Sequence, residues 1–456
     1  MREAGMATQK KRITDMTVGK PIELLLRFTL PLLISNVFQQ LYSMVDSLVV
    51  GNYVGADALA AIGNCSSVNF FLIAICMGLA NGVGINVAQY FGAGDEQRVR
   101  KVIANAVYVL GGIACFTTVL GVLLAPALLR LLQTPETIIG DSITYMQVSC
   151  LGVIWLALYN GVAAILRALG DSKSPLYFLM ISSLLNIGLD LFFVIALGWA
   201  VFGVALATLI AQMTSAVVSI LYAVRKVSYF RLTKGDLRPE KSIIRKIFKI
   251  GMPIALQSSM ISVSTMVLQG VVNSFGETVM AAYSIGCKMD NLVSGPYVSV
   301  CHALTTYAGQ NLGARKTDRI REGFLSSVKI IMLFNLVMIP IICLLSGSIV
   351  RLFVSDAAVI EVGTTALRIT GVCYLALGMI YPSRGVLNGC GDASFSLING
   401  IVEVACRILY SQILTHIPAI GVWGIWLTAG CTWITVAIVC FLRYRSGIWM
   451  RKSLVG

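Results

Sequence analysis

Long apolar runs separated by short polar turns fill this chain. The run from Phe28 to Val50 carries one proline, Pro31, and one carboxylate, Asp46. Comparable runs begin near Ile22, Ser66, Val102, Ile143, Leu176 and Val201. Six more begin near Ile247, Ile285, Leu325, Ala366, Leu397 and Gly421. Each is of the length, about 20 residues, that carries a helix across a bilayer. The pattern predicts an all-α integral membrane protein with twelve transmembrane helices. Within the first run, Pro31 removes a backbone donor and invites a bend. Asp46 is a costly intramembrane charge, and such charges usually serve function.

Composition agrees with the pattern. The 456 residues are 57% hydrophobic and 12% charged, against about 25% charged in soluble domains. A net charge of +14 would suggest nucleic acid in a soluble protein. Here the basic residues cluster after alternate spans, at Arg98–Lys101, Arg167 and Lys173, 225–249, 315–321 and Arg443 with Arg445. The intervening turns are nearly free of Lys and Arg. That bias predicts cytoplasmic termini in a bacterial cell membrane, a bilayer partner and no nucleic acid. The N-terminal Lys10-Lys11-Arg12 precedes a run longer than the roughly 7–15 residues of a signal peptide, so the run is read as the first span. Twelve scattered cysteines without a Cys-x-x-Cys pair, and only His302 and His416, predict no metal, cofactor or disulfide framework. No motif suggests an enzyme.

Internal similarity then divides the chain. Gln89-Tyr-Phe-Gly-Ala-Gly94 recurs as Gln310-Asn-Leu-Gly-Ala-Arg315, and Arg98 and Arg100 recur as Arg319 and Arg321. Leu166-Arg-Ala-Leu-Gly-Asp171 recurs as Leu387-Asn-Gly-Cys-Gly-Asp392, and Gly203 as Gly424. All lie 221 residues apart (310 − 89). The expected architecture is two homologous six-helix bundles, 1–225 and 247–456, joined by a basic cytoplasmic linker at 226–246. An even number of spans per copy makes the repeats parallel, a transporter arrangement in which access alternates around a substrate held between bundles. Pro31 recurs as Pro253, one residue off register, whereas Asp46 falls opposite Val267 or Leu268. The second copy keeps the bendable helix and lacks the charge.

These residues resemble the multidrug and toxic compound extrusion (MATE) family over nearly the whole chain. The likeness rests on Thr29-Leu-Pro31 with Val45-Asp46, the Gly-Ala-Gly94 and Gly-Asp171 turns, and Asn186-x-x-x-Asp190. Gly203-Val-Ala-Leu-Ala-Thr208 and Gly309-Gln-Asn-Leu-Gly-Ala314 complete the ordered set. The resemblance implies a V-shaped pair of six-helix lobes, acting as a monomer. It implies export of amphipathic, often cationic compounds in exchange for protons or sodium. It places Asp46, Tyr145, Asn186, Asp190 and Thr208 in a polar cluster of the N-terminal lobe. The inferred topology supports this: spans one and five run outward with their acids late, and spans four and six run inward with Tyr145 and Thr208 early. A sodium-coupled branch carries acids at positions that here are Ile261 and Leu377, so the chain looks closer to the DinF-like, proton-coupled branch.

Asp46 and Asp190 are thus the expected proton-coupling pair, because two neighbouring carboxylates in a dry site cannot both ionise cheaply. Asn186 lies one turn before Asp190 on the same face, and Pro31 is the expected hinge. Met44, Gln257, Met260 and Asp290 are candidate cavity residues, methionines being adaptable. Glu403 and Arg407, spaced i, i+4, are expected to pair, as are Lys288 and Asp290. Two alternatives stay open. The oxygen-rich cluster could hold sodium, or the fold could flip lipid-linked or polysaccharide precursors.

Overall fold

The computed structural model describes residues 14–455. Among them are twelve long α-helices: α1 (Pro21–Val49), α2 (Ala56–Gly92), α3 (Glu96–Leu131), α4 (Ile139–Ala168), α5 (Lys173–Leu191), α6 (Ala200–Lys226), α7 (Lys241–Asn273), α8 (Glu277–Gly313), α9 (Thr317–Arg351), α10 (Ala357–Gly389), α11 (Ala393–His416) and α12 (Gly424–Arg445). Eleven are apolar and long enough to cross a membrane. The other is α8, which is 37 residues long but carries Lys288, Asp290 and a polar run through His302 and Gln310. Short π-helical segments, Val50–Val54 and Phe192–Ala196, extend α1 and α5.

The repeat reappears in the packing. In the first half, α4 packs against α2, α3 and α6, and α5 packs against α6. In the second half, α10 packs against α8, α9 and α12, and α11 against α12. The turns repeat as well. Gly55 and Gly276, and Gly170 and Gly391, all have positive φ. Gly94 (φ +73°) matches Arg315 (φ +60°), so the second copy keeps a left-handed turn without the residue that tolerates it best.

The chain forms two compact units that are cut inside helices rather than at the linker. Of the described residues, one comprises Thr14 and Asp15 with Leu30–Ala255, the other Met16–Thr29 with Leu256–Val455. The cuts fall two residues from Pro31 and Pro253 respectively. In the first unit, the early part of α7 lies against α2 through small residues. A Cβ on Gly82 would come within 2.8 Å of the Gly251 backbone, and one on Gly78 within 2.5 Å of Ala255. Such small-xxx-small faces let membrane helices approach closely and gain packing. In the second unit, Met16–Gly19 is held by side chains of α8 and α9. Gln310 accepts from the Met16 amide at 2.9 Å, and Asn311 donates to the Met16 carbonyl at 3.1 Å. Arg319 donates to the Gly19 carbonyl at 2.8 Å.

The linker is tied down in the first unit. Tyr108 donates to the Leu237 carbonyl at 2.7 Å, and Asn105 accepts from the Glu240 amide at 2.8 Å. Lys101 pairs with Glu240 at 3.3 Å. Asp236 accepts from the Thr233 amide and hydroxyl at 2.9 and 2.7 Å, which hold its carboxyl below the usual range.

Candidate functional site

Four helices of the first unit bring Asp46, Asn186, Asp190, Thr208 and Tyr145 to one place. Asp46 comes from late α1 and Asp190 from late α5. Their carboxyl groups lie within interaction reach of one another. Asp190 is fully buried, and each acid has an Oδ1 that is buried without a hydrogen-bond partner among the described residues. Asn186 is also buried. With its amide oriented to satisfy both ends, Nδ2 donates to Asp190 Oδ2 at 3.1 Å and Oδ1 accepts from the Thr208 amide at 3.3 Å. Tyr145 lies within electrostatic reach of Asp46 and bonds Ser149.

An apolar layer follows this cluster in sequence. Val49, Val50, Ala58, Val194, Val201 and Val204 form one buried group, against which Tyr145 packs. The two π-helical segments supply Val50 and Val194 and begin four and two residues after the acids. π-turns often mark functional sites, and nothing in the hydrophobic pattern announces them.

Tyr42 of α1, which no motif marks, joins this cluster. Its hydroxyl bonds Thr208, and both acids act on it electrostatically. The signal was present, since Tyr42 lies one helical turn before Asp46 on the same face.

The candidate cavity residues do not join the cluster. Met44 is on an exposed face of α1. Gln257, Met260 and Asp290 belong to the second unit. Gln257 is buried with an unpartnered Nε2. Met260 Sδ lies 3.4 Å from where a Cβ on Gly400 would stand. Asp290 accepts a hydrogen bond from Tyr374 at 2.6 Å. The expected pairing of Asp290 with Lys288 is corrected: among the described residues no ion pair joins them, and the Lys288 ammonium sits 5.3 Å from the Phe353 ring centre. Residues two apart on a helix do not face each other. Glu403 and Arg407 do pair, at 3.4 Å. Pro31 lies within an unbroken α1, and its carbonyl accepts from Ser35 Oγ at 2.9 Å.

Twelve long helices, eleven of them apolar enough to cross a membrane, in two like-packed halves define a multi-pass membrane protein built on an internal repeat. The MatE family model matches twice, over residues 31–192 and 253–413. The chain therefore belongs to that family of multidrug efflux transporters, and it is not an enzyme. It is 28% identical over 442 residues to the probable multidrug resistance protein YpnP of Bacillus subtilis, covering 96% of this chain and 98% of that one. It is 25% identical over 444 residues to the probable multidrug resistance protein NorM of Thermotoga maritima, covering 94% of each. A solved MOP superfamily transporter from Pyrococcus furiosus superimposes with a TM-score of 0.90 at 25% identity, over 98% of both chains.

Proposed function

We propose that this transporter exports amphipathic, often cationic compounds in exchange for protons, with Asp46 and Asp190 as the coupling pair. The closeness of the two carboxyl groups in one bundle carries the reading, because two acids so placed share one proton more cheaply than they both ionise. Loss of that proton places two like charges in a poorly hydrated bundle, which is costly unless the pair separates or a cation enters. Asn186 and Thr208 hold Asp190 in place on α5 and α6, so Asp46 on α1 is the partner free to move. Movement of α1 would bend at Pro31, next to the cut between units. Met44, Gln257, Met260 and Asp290 are assigned substrate contacts within their own units. The relatives are named as probable multidrug resistance proteins, which supports a drug-like cargo.

The test is efflux of a fluorescent cation from proteoliposomes under separate proton and sodium gradients. A proton gradient alone should drive efflux in sodium-free buffer, and an uncoupler should collapse it. Asp46→Asn should abolish drug resistance in a sensitised host at unchanged membrane expression. Resistance near wild type would remove Asp46 from coupling. Efflux that persists under the uncoupler and requires sodium would reassign the cluster as a sodium site, for which the two open Oδ1 atoms are suited.

A further inference from the structure

The second unit carries a charged cluster that proton coupling does not use. Glu403 in α11 lies between two guanidinium groups. Arg407 Nη2 is 3.4 Å from one of its oxygens, and Arg384 Nη2, from late α10, is 3.9 Å from the other. Arg407 also donates to Thr265 of α7 at 3.3 Å. All three charged groups lie in membrane-length helices and are largely buried, with side-chain exposures of 7% for Glu403, 10% for Arg407 and 16% for Arg384.

Donors outnumber acceptors here. The Nε of Arg384, the Nε of Arg407, Nε2 of Gln257 and Nδ2 of Asn399 are all buried without a partner among the described residues. Asn399 lies one turn before Glu403, and its Oδ1 accepts from Cys440, which is within electrostatic reach of Arg384. Gln257 abuts Gly400. Asp290 is the remaining acid near Arg407, but one of its oxygens is engaged by the Tyr374 hydroxyl at 2.6 Å. Four unmet donors, two of them on the arginines themselves, are expensive in a dry interior unless an acceptor enters.

The repeat supplies a control. Subtracting 221 from Arg384, Glu403 and Arg407 gives Ala163, Ser182 and Asn186. The first copy builds the same helix packing with neutral residues, so the bundle does not require these charges. Arg407 occupies in the second unit the position that Asn186, a member of the carboxyl cluster, occupies in the first. One unit presents acids at this level and the other presents arginines.

We propose that Arg384 and Arg407 form an oxyanion site in the second unit that takes the carboxylate or phosphate group of a transported amphiphile, with Glu403 as its internal place-holder. Each guanidinium offers Nε together with an Nη, the side-on pair that matches an oxyanion bidentately. The inference rests on the transport reading and adds a second substrate class, anionic or zwitterionic, to the cations proposed above.

Binding to the full-length protein in lipid nanodiscs tests it with two matched fluorescent pairs. Rhodamine 110 and its methyl ester rhodamine 123 differ by a carboxylate, and riboflavin 5′-phosphate and riboflavin differ by a phosphate. Wild-type protein should bind the acidic member of at least one pair roughly tenfold more tightly, as expected for a charge-assisted bond. The pair that responds identifies the anion. Arg384→Gln and Arg407→Gln should bring the ratio to about one while binding of the member without the acid group is unchanged. Glu403→Gln should widen the ratio by removing the competitor. A purely structural ion pair predicts the opposite for Glu403→Gln: a lower melting temperature and an unchanged ratio. A ratio near one in both wild-type pairs, or a ratio that survives both arginine substitutions, overturns the site. If an arginine variant does not fold, a Glu403→Gln ratio that fails to widen overturns it equally. Asp46→Asn should leave the ratio intact while abolishing proton-driven efflux, so efflux that survives this substitution with the ratio preserved counts against coupling and not against this site.

Discussion

Arg443→Gln should destabilise the protein far more than Tyr222→Phe, although the two residues occupy equivalent positions in the repeat (443 − 222 = 221). Each contacts the aspartate of a Gly-Asp turn. In the second copy, Asp392 has no exposed side-chain surface and is gripped by Arg443 Nε at 2.8 Å and Nη2 at 3.1 Å. Removing the guanidinium leaves a buried carboxylate, a loss of about 3–5 kcal/mol. Lys452, at 4.0 Å and 43% exposed, can restore on the order of 1 kcal/mol. The net cost is therefore roughly 2–4 kcal/mol. In the first copy, Asp171 keeps the Lys173 amide, the Ser174 amide and the Ser174 hydroxyl when Tyr222 is lost, so the cost is at most about 1 kcal/mol. Buried cysteines allow each unit to be followed separately, since Cys390 and Cys440 lie in the second and Cys65 and Cys150 in the first. Maleimide labelling during thermal unfolding in detergent, with peptides identified by mass, should show Cys390 reacting several degrees earlier in Arg443→Gln. Tyr222→Phe should barely shift any cysteine. Adding Asp392→Asn to Arg443→Gln should recover part of the loss, because the stranded charge is gone. Equal shifts for the two single variants, or no recovery in the double, would refute the assignment.

The left-handed turns give a graded pair. Gly94→Ala, at φ +73° with open space around it, should cost about 1 kcal/mol. Gly170→Ala, at φ +92° with its Cβ placed 2.1 Å from the Thr14 carbonyl oxygen, should cost about 2 kcal/mol or more, and equal melting temperatures would contradict the contact. The linker should respond to acid. The Thr233 amide and hydroxyl lower the Asp236 carboxyl, and the Ser242 hydroxyl, then Lys101, lower that of Glu240. Groups depressed on folding stabilise above the unfolded carboxylate range of about 4 and lose that contribution as pH falls through their folded values. Amide exchange over residues 228–243, corrected for intrinsic rate, should thus stay flat from pH 8 to 5 and rise below 4. A rise between pH 7 and 6 would point to a different titrating group.

Much of the fold could be read in the apolar runs, because bilayer length is a coarse and strong constraint. The twelve spans and the 221-residue offset needed no side-chain detail. The least apolar helix, α8, was still legible, since its motif Gln310…Ala314 sits in register with Gln89…Ala93. The cuts inside α1 and α7 were not. Helix exchange between units depends on which small faces meet, and Gly78, Gly82, Gly251 and Ala255 become meaningful only once α2 and α7 lie together. Within the site, five residues were legible from motif and topology, and Tyr42 was one turn from a residue already singled out. The π-segments after Asp46 and Asp190 left no trace, because one added backbone residue does not alter a hydrophobic run.

The repeat does more than halve the chain, since it separates what the fold needs from what each half does with it. Positions that agree across 221 residues, such as Gly170 and Gly391, mark backbone geometry that no side chain satisfies cheaply. Positions where the chemistry differs while the packing holds mark specialisation. Asn186 against Arg407, Ser182 against Glu403, and Asp190 against Ser411 are three such pairs on equivalent helices, α5 and α11. A symmetric drug pump would need none of these differences. Two helices that share an ancestor, and retain their place in the bundle, have taken opposite charge at the same level. If acids in one unit trade protons, arginines in the other are free to read the anionic end of a cargo that the acids would repel.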